Sequence, residues 1–317
     1  MGAKDAKARE FLSNNERFAD LFNFYLFKGK QVIKPSDLQE KDTATVLSLY
    51  GIDKKEVQKQ RWRDVLKSAI IKSSEYGIFV LMGIENQSDI HYAMPVKNII
   101  YDAMEYGSQV REAAAKHKGN KDYDNKDEFL SGFKKSDKLT PVITLTVYWG
   151  ADEWDAPRSL YEMFDAKYES ILPYVDDYHL HLIVPNEISD FELFKTSLRE
   201  VLEFIKVSND EAMIEEVINK NPAYKKLEND AVSAINVFTG IQLSVDKEGG
   251  KVNMCKGWDD HKKSGMEEER QIINSLIIHL ANDGRTDDII KAANDPEYQD
   301  ELIQYYGLDK KKEPVEV

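Results

Sequence analysis

The sequence has few of the features that would place it outside the ordinary globular proteins. Cys255 is the one cysteine in 317 residues, which excludes an intramolecular disulfide and a zinc site built from several cysteines. No apolar run approaches the ~20 residues that a membrane-spanning helix requires. The N-terminal stretch MGAKDAKARE is charged from its start and does not match a secretory signal. We therefore expect a cytosolic protein without a membrane span.

Positive charge is also scarce. The chain carries 43 lysines and arginines against 57 aspartates and glutamates, for a net charge of -14. This balance argues against a protein that holds polyanions by bulk charge. It does not exclude a nuclease, because a site of carboxylates and a divalent cation needs only local basic patches. The length allows one large domain or two modest ones.

Helical and strand patterns alternate in the first half of the chain. Residues 9–27 are apolar on nearly all sides of a helix, which predicts a buried helix that carries Asp20. Residues 61–71 and 77–87 are separated by the polar stretch KSSEY and predict two strands joined by a turn. A helix is predicted to open at Pro95. Its apolar stripe consists of Val96, Ile99, Ile100, Ala103, Val110 and Ala114.

The remainder of the chain continues the alternation and then becomes helical. A charged loop is predicted at 118–138, and buried strands are predicted at 139–150 and 178–185. Helical patterns dominate from 187 onward. Two strands, a crossover helix and a third strand predict an α/β core with a mixed sheet flanked by helices. We expect this core in residues 1–185 and a mostly helical region in residues 186–317.

Polar side chains end the second predicted strand. Glu85 and Gln87 lie two residues apart and therefore point to the same face, whereas Asn86 points to the other. If the two strands pair around the turn at 72–76, Asp64 can lie near Glu85. Two carboxylates at a sheet rim form an oxygen-rich site of the kind that hard cations prefer. The alternative interpretation is a solvated strand end without function.

Other polar groups give weaker signals. His179 and His181 share one strand face at a spacing that can bind a transition metal, but no third ligand is evident, and structural histidines are the favoured interpretation. Trp62, between two arginines, could stack on nucleic acid or pack in the core. Asp20 is either charge decoration of its helix or a positioned site residue. These alternatives are open at the level of the sequence.

Four stretches together resemble a known family. They are ENQS at 85–88, MPVKNIIY at 94–101, LTPVITLTVYWG at 139–150 with the segment after it, and GMEEER at 265–270. The matching positions in and after the third stretch are Pro141, Tyr148, Gly150, Trp154, Pro157, Ser159 and Phe164. In this order they resemble the Rpn family of recombination-promoting, transposase-like nucleases, within the PD-(D/E)xK superfamily. The resemblance covers about residues 10 to 300.

This resemblance implies a restriction-endonuclease-like core with a helical C-terminal extension, and a DNA endonuclease that uses Mg²⁺, with Mn²⁺ as an alternative. Asp64, Glu85 and the main-chain carbonyl of Asn86 would be the metal ligands. Gln87 stands where the superfamily has lysine, so Lys97 would supply part of the missing positive charge. Asp20 would be the first-helix acid near the site.

The resemblance leaves two matters open. One is activity, because a degenerate nuclease fold that binds DNA or a protein without cutting is the alternative function. The other is the oligomeric state, for which a homo-oligomer is one option.

Overall fold

The computed structural model describes residues 2–40, 65–73, 76–244 and 250–308. The chain divides into two compact units. The first comprises Met1–Ile241 and Val245–Val252, and the second comprises Gln242–Ser244 and Asn253–Val317. The helices between residues 186 and 241 therefore belong to the first unit, and the division of the chain at residue 185 stays a prediction.

The first unit is built around a sheet whose strand order follows the chain. The strands are β1 (Leu38–Glu40), β2 (Val65–Ser73), β3 (Tyr76–Gln87), β4 (Val142–Tyr148) and β5 (His181–Ile183). The pairs β1–β2 and β2–β3 are antiparallel, whereas β3–β4 and β4–β5 are parallel. A separate antiparallel pair is formed by β6 (Leu227–Glu228) and β7 (Lys251–Val252).

The helices of the first unit lie before, between and after these strands. They are α1 (Ala3–Ser13), α2 (Asn15–Phe27), α3 (Met94–Asn120), α4 (Lys126–Ser131), α5 (Leu198–Val207), α6 (Glu211–Lys220) and α7 (Asn229–Thr239). Short 3-10 turns fill the connections, at Pro35–Asp37, Tyr161–Met163, Ala166–Tyr168, Leu172–Tyr174, Pro185–Glu187, Phe191–Leu193 and Pro222–Lys226. The mixed sheet flanked by helices confirms the α/β class predicted from the sequence.

The strand β3 is central because β2 and β4 pair with its two edges. Its residues Val80, Leu81, Met82 and Ile84 are buried, as a strand covered on both faces requires. The apolar run that precedes Glu85 therefore carries that residue into the interior of the first unit.

The predicted helix over 9–27 is two helices, α1 and α2. Asn14 separates them with extended backbone angles, and its side chain accepts hydrogen bonds from the main-chain N–H groups of Glu16 and Arg17. Asparagine is a preferred residue at this position because its short side chain satisfies the first N–H groups of a helix. The break lies within the polar run SNNER at 13–17, which separates the two apolar segments of the predicted helix.

The apolar stripe of α3 does not face the sheet. Val96 and Ile100 are 36% and 43% exposed, whereas Asn98 is fully buried. Two polar side chains one turn apart on α3 form hydrogen bonds with threonines of β4. Asn98 Nδ2 donates to Thr146 Oγ1, and the Asp102 carboxylate accepts from Thr144 Oγ1. The buried face of α3 combines Asn98 with the apolar residues Met94, Tyr101 and Met104, and it differs from the face that the predicted stripe indicates.

The stretch predicted as a charged loop, 118–138, contains the end of α3 and the whole of α4. The His117 ring contacts carboxylates on both sides of α4, with Nδ1 2.8 Å from Asp122 Oδ1 and Nε2 3.1 Å from Asp137 Oδ2. Lys134 Nζ lies 3.0 Å from Asp124 Oδ2. The alternating charges of this stretch therefore pair with one another rather than only with solvent.

The second unit is helical, as predicted for the C-terminal region. It contains α8 (Met254–Asn282), α9 (Thr286–Asn294) and α10 (Pro296–Tyr305). Leu276, Leu280, Ala292 and Leu302 form its buried cluster. Among the residues that the structure describes, no helix combines the length and the apolar character that crossing a membrane requires.

Candidate active site

Glu85 lies near the end of β3, buried between the sheet and α3. Its partner across the parallel ladder is Thr146 on β4. Lys97, in the first turns of α3, places Nζ 2.8 Å from Glu85 Oε2. Near its N-terminus a helix disfavours positive charge, so the carboxylate rather than the helix accounts for a lysine at this position. The structure therefore brings together two residues that the resemblance assigns to one site.

Asn86 points to the opposite face of the sheet, as the strand alternation predicts. Its Oδ1 accepts a hydrogen bond from Trp149 Nε1 at 2.9 Å. The Trp149 ring stacks on Phe238 of α7, with 4.4 Å between centroids. The side chain of Asn86 is thus part of the packing under α1 and α7, on the face opposite Glu85.

Gln87 shares the face of Glu85 and is also buried. Its Nε2 donates a hydrogen bond to the main-chain carbonyl of Asn86 at 2.8 Å. The carboxamide is therefore anchored on the carbonyl that was predicted as a metal ligand.

A row of buried polar groups continues from Glu85 beneath α3. Asn98 Nδ2 donates to Thr146 Oγ1 at 2.9 Å. The Asp102 carboxylate accepts from Thr144 Oγ1 at 2.6 Å and from the Tyr178 hydroxyl at 2.7 Å. This interface between helix and sheet is polar at its centre, which is unusual for a buried face and is typical of a functional site.

The rim beyond Glu85 is acidic. Burial raises the pKa of the Tyr148 hydroxyl, and the charges of Asp152, Asp89 and Asp155 raise that pKa further. Gly150 is required close by because a methyl group at its Cα would overlap the Tyr148 ring. Negative potential at this rim favours a cation over a bare phosphate.

Asp64, the second predicted carboxylate, lies outside the described residues. The described part of the ladder ends where Val65 pairs with Ile84. Val65 directly follows Asp64 in the sequence, and Ile84 directly precedes Glu85. Within the described ranges there is no cluster of three or more His, Cys, Asp or Glu side chains that could hold a metal. One buried carboxylate and a main-chain carbonyl suit a hard cation such as Mg²⁺, but they do not by themselves complete a site.

Asp20 contacts a different part of the first unit. Its carboxylate accepts hydrogen bonds from the main-chain N–H groups of Lys195 and Thr196, each at 2.8 Å, and from Thr196 Oγ1 at 2.7 Å. These bonds fix the turn that leads into α5. Among the described residues, Asp20 bonds to Lys195 and Thr196 rather than to Glu85, Gln87 or Lys97, and its catalytic role stays a prediction.

The two histidines of the sequence pattern do not form a metal pair with a third ligand among the described residues. His179 is exposed and lies 3.4 Å from Asp177 Oδ2, whereas His181 Nδ1 is 3.2 Å from the Tyr25 hydroxyl. Burial lowers the pKa of His181 below its ordinary value. Trp62, the other open candidate, lies outside the described residues.

Sequence reasoning missed a buried lysine, Lys67 on β2. Its Nζ donates to the Ser13 carbonyl and to Asn15 Oδ1, each at 2.5 Å, beneath α1 and α2. Burial lowers the pKa of this lysine, and the Glu40 charge opposes the shift. Lys67 pairs with Met82 and so faces away from Glu85. The signal in the sequence was a lysine beside the apolar residues of β2, and the alternation of side chains places it on the face opposite Glu85.

One family of known proteins matches most of the first unit. Its description is "Putative transposase, YhgA-like", and the match covers residues 3–230. The chain belongs to this family. The YhgA-like region includes all five strands of the sheet together with Glu85, Gln87 and Lys97, and it confirms the resemblance to Rpn-type proteins stated from the motifs. No curated protein and no solved structure matches the chain.

Proposed function

We propose that this YhgA-like chain is a metal-dependent DNA endonuclease, which hydrolyses phosphodiester bonds in recombination or transposition. The observation that carries the proposal is the buried carboxylate of Glu85 at the end of the central strand, with Lys97 Nζ 2.8 Å away. A carboxylate in this setting is costly to bury, which favours a functional reason for it. The family description supports the connection to transposition and to DNA as the partner.

In the proposed site, Asp64, Glu85 and the Asn86 carbonyl would hold a divalent cation, Mg²⁺ or Mn²⁺. The cation would neutralise the scissile phosphate and lower the pKa of a water molecule. Lys97 would add positive charge beside the negative charge that develops on the phosphoryl oxygens. Gln87 orients the attacking water through its carboxamide, which forms hydrogen bonds but carries no charge.

The position of Lys97 compensates for the glutamine at 87. A lysine two residues after Glu85 would project from β3, whereas Lys97 reaches the same carboxylate from α3. The charge thus comes from a different element but acts on the same group. We therefore propose that Lys97 on α3 takes over the role that a lysine at position 87 would have on β3. An active enzyme with glutamine at 87 needs a positively charged side chain near Glu85 from another element.

The alternative is a degenerate nuclease fold that binds DNA or a protein without cutting. Two contacts favour it: Lys97 pairs with Glu85, and Gln87 Nε2 bonds to the Asn86 carbonyl, so groups assigned to the metal already have polar contacts. The net charge of -14 also opposes tight non-specific DNA binding. This alternative predicts binding that does not depend on Asp64.

The deciding experiment is cleavage of supercoiled plasmid by the full chain with Mg²⁺, Mn²⁺ or EDTA. The variants Asp64→Asn and Glu85→Gln should each lower the rate at least 100-fold. Glu200→Gln is the matched control, because Glu200 is also a buried glutamate of the first unit but lies on α5. It should cleave at the wild-type rate.

The outcomes separate the two functions. Nicking or linearisation that requires the divalent cation and both acids supports the endonuclease. An intact plasmid under every cation, with a retained gel shift of DNA, favours the binding protein. Cleavage by Glu85→Gln at the wild-type rate would show that the activity belongs to a contaminant or to another site.

A further inference from the structure

Asn98 is a fully buried amide in the first turns of α3, next to Lys97 in the sequence. Its Nδ2 donates to Thr146 Oγ1 at 2.9 Å. Thr146 is the residue that pairs with Glu85 across the parallel ladder, so both side chains lie on the face that α3 covers. The amide of Asn98 is therefore fixed above the strand position adjacent to Glu85.

The oxygen of this amide has no donor within the part of the chain that the structure describes. Asn98 Oδ1 is buried and makes no hydrogen bond there, although its amide nitrogen is satisfied. Buried acceptors in folded proteins are nearly always satisfied, so this oxygen needs a partner beyond the described residues, and a bound ion is one kind of group that supplies it. Asparagine oxygens are established ligands of hard divalent cations.

The spacing of β3 and β4 allows Asn98 and Glu85 to bind the same ion. Neighbouring strands lie about 4.8 Å apart, and Asn98 is anchored to the β4 partner of Glu85. Lys97, the preceding residue of α3, already reaches Glu85 Oε2. The same helical turn thus delivers an ammonium and an amide oxygen to the surroundings of one carboxylate.

We propose that Asn98 contributes Oδ1 to the divalent-cation site at Glu85, as an oxygen supplied by α3. This inference rests on the proposed function, since it requires that Glu85 binds a cation. It adds a neutral oxygen donor to a site for which the described residues provide one carboxylate and one carbonyl.

The test is calorimetric titration of Mn²⁺ into the full chain, without DNA. Asn98→Leu keeps the size of the side chain and removes the oxygen, and we expect it to weaken Mn²⁺ binding about 10-fold. Asn98→Asp keeps the shape and adds charge, and we expect it to tighten binding about 10-fold, because affinity rises with the charge of the ligands. A purely structural amide would lower the melting temperature in both variants without these opposite changes.

Ser68→Ala is the matched control. Ser68 Oγ is also buried without a hydrogen bond among the described residues, and it lies on the same face of the sheet, opposite Leu81 rather than Glu85. Its Mn²⁺ affinity should equal that of the wild type. If Asn98→Leu does not fold, Asn98→Asp alone decides by the sign of its effect.

The outcomes distinguish this inference from the proposed function. If the wild type binds Mn²⁺, Glu85→Gln abolishes that binding and both Asn98 variants bind like the wild type, the role of Asn98 is overturned and the cation site stands. If the wild type does not bind Mn²⁺, the cation site fails and the role of Asn98 fails with it. Opposite shifts for leucine and aspartate support the proposal.

Discussion

The ion pair between Glu85 and Lys97 gives the sharpest prediction for stability. The change is Lys97→Met, which keeps the aliphatic length of the side chain and removes the ammonium. Lys97 Nζ lies 2.8 Å from Glu85 Oε2, and the side chains are 31% and 4% exposed. The substitution therefore takes a positive charge away from a carboxylate that is almost completely shielded from water.

The expected cost follows from this geometry. At an effective dielectric constant of about 20, two unit charges at this separation attract by about 6 kcal/mol. Desolvation of the carboxylate offsets part of this attraction, and water reaches the partly exposed lysine. We therefore expect Lys97→Met to lower the free energy of unfolding by about 2–3 kcal/mol, and Lys97→Arg to lower it by less than about 1 kcal/mol because the charge is kept.

The assay is urea unfolding at pH 7 in low salt with EDTA. Lys116→Met is the matched control: Lys116 is an exposed lysine on α3 and makes no ion pair in the described ranges. Its effect should stay within about 0.5 kcal/mol. An unfolding midpoint for Lys97→Met equal to that of the control would refute the argument that the ammonium stabilises Glu85. Combining Glu85→Gln with Lys97→Met should recover most of the loss, because the buried charge is then gone.

Two further predictions concern other parts of the first unit. Asp20→Asn should lower the free energy of unfolding by about 2–3 kcal/mol, because the carboxylate accepts three hydrogen bonds in the turn before α5. Chemical denaturation measures this change, and substitution of the exposed Glu16 by glutamine is the control. Unchanged stability together with lost cleavage would instead indicate a catalytic role for Asp20. The pKa of His117 should lie above its ordinary 6.5 because Asp122 and Asp137 accept from the ring. The stability that this contact contributes should be complete below pH 6.5 and decline as pH rises through the folded-state pKa; an NMR-titrated pKa of His117 at or below 6.5 would contradict it.

The lowered pKa values of Asp122 and Asp137 set the lower pH limit of the stability that the His117 contact contributes. Hydrogen bonding to His117 lowers the pKa of Asp122, and the main-chain N–H of Lys134 together with His117 lowers the pKa of Asp137. Their contribution is present above the ordinary pKa of 3.8 and is lost as pH falls through the folded-state values. The segment around α4 should therefore be most stable between about pH 4 and 6.5, in the window where both partners are charged.

The sequence determined the features that depend on neighbours along the chain. The apolar run before Glu85 predicted a strand covered on both faces, and β3 is that strand. The alternation of side chains predicted that Asn86 points away from Glu85, and its bond to Trp149 confirms this. Such features follow from local geometry, because strand period and burial act over a few residues.

Only the tertiary structure decided which long-range partners these residues have. The rotation of α3 buries Asn98 together with Met94 and Met104, and it leaves Val96 and Ile100 of the predicted stripe exposed. The same rotation brings Lys97 to Glu85. Asp20 has its partners at 195 and 196, far along the chain. The hydrophobic periodicity of a segment does not predict such pairings. A buried polar group needs a specific hydrogen-bond partner, and the path of the chain between strands and helices decides which distant residue lies next to it.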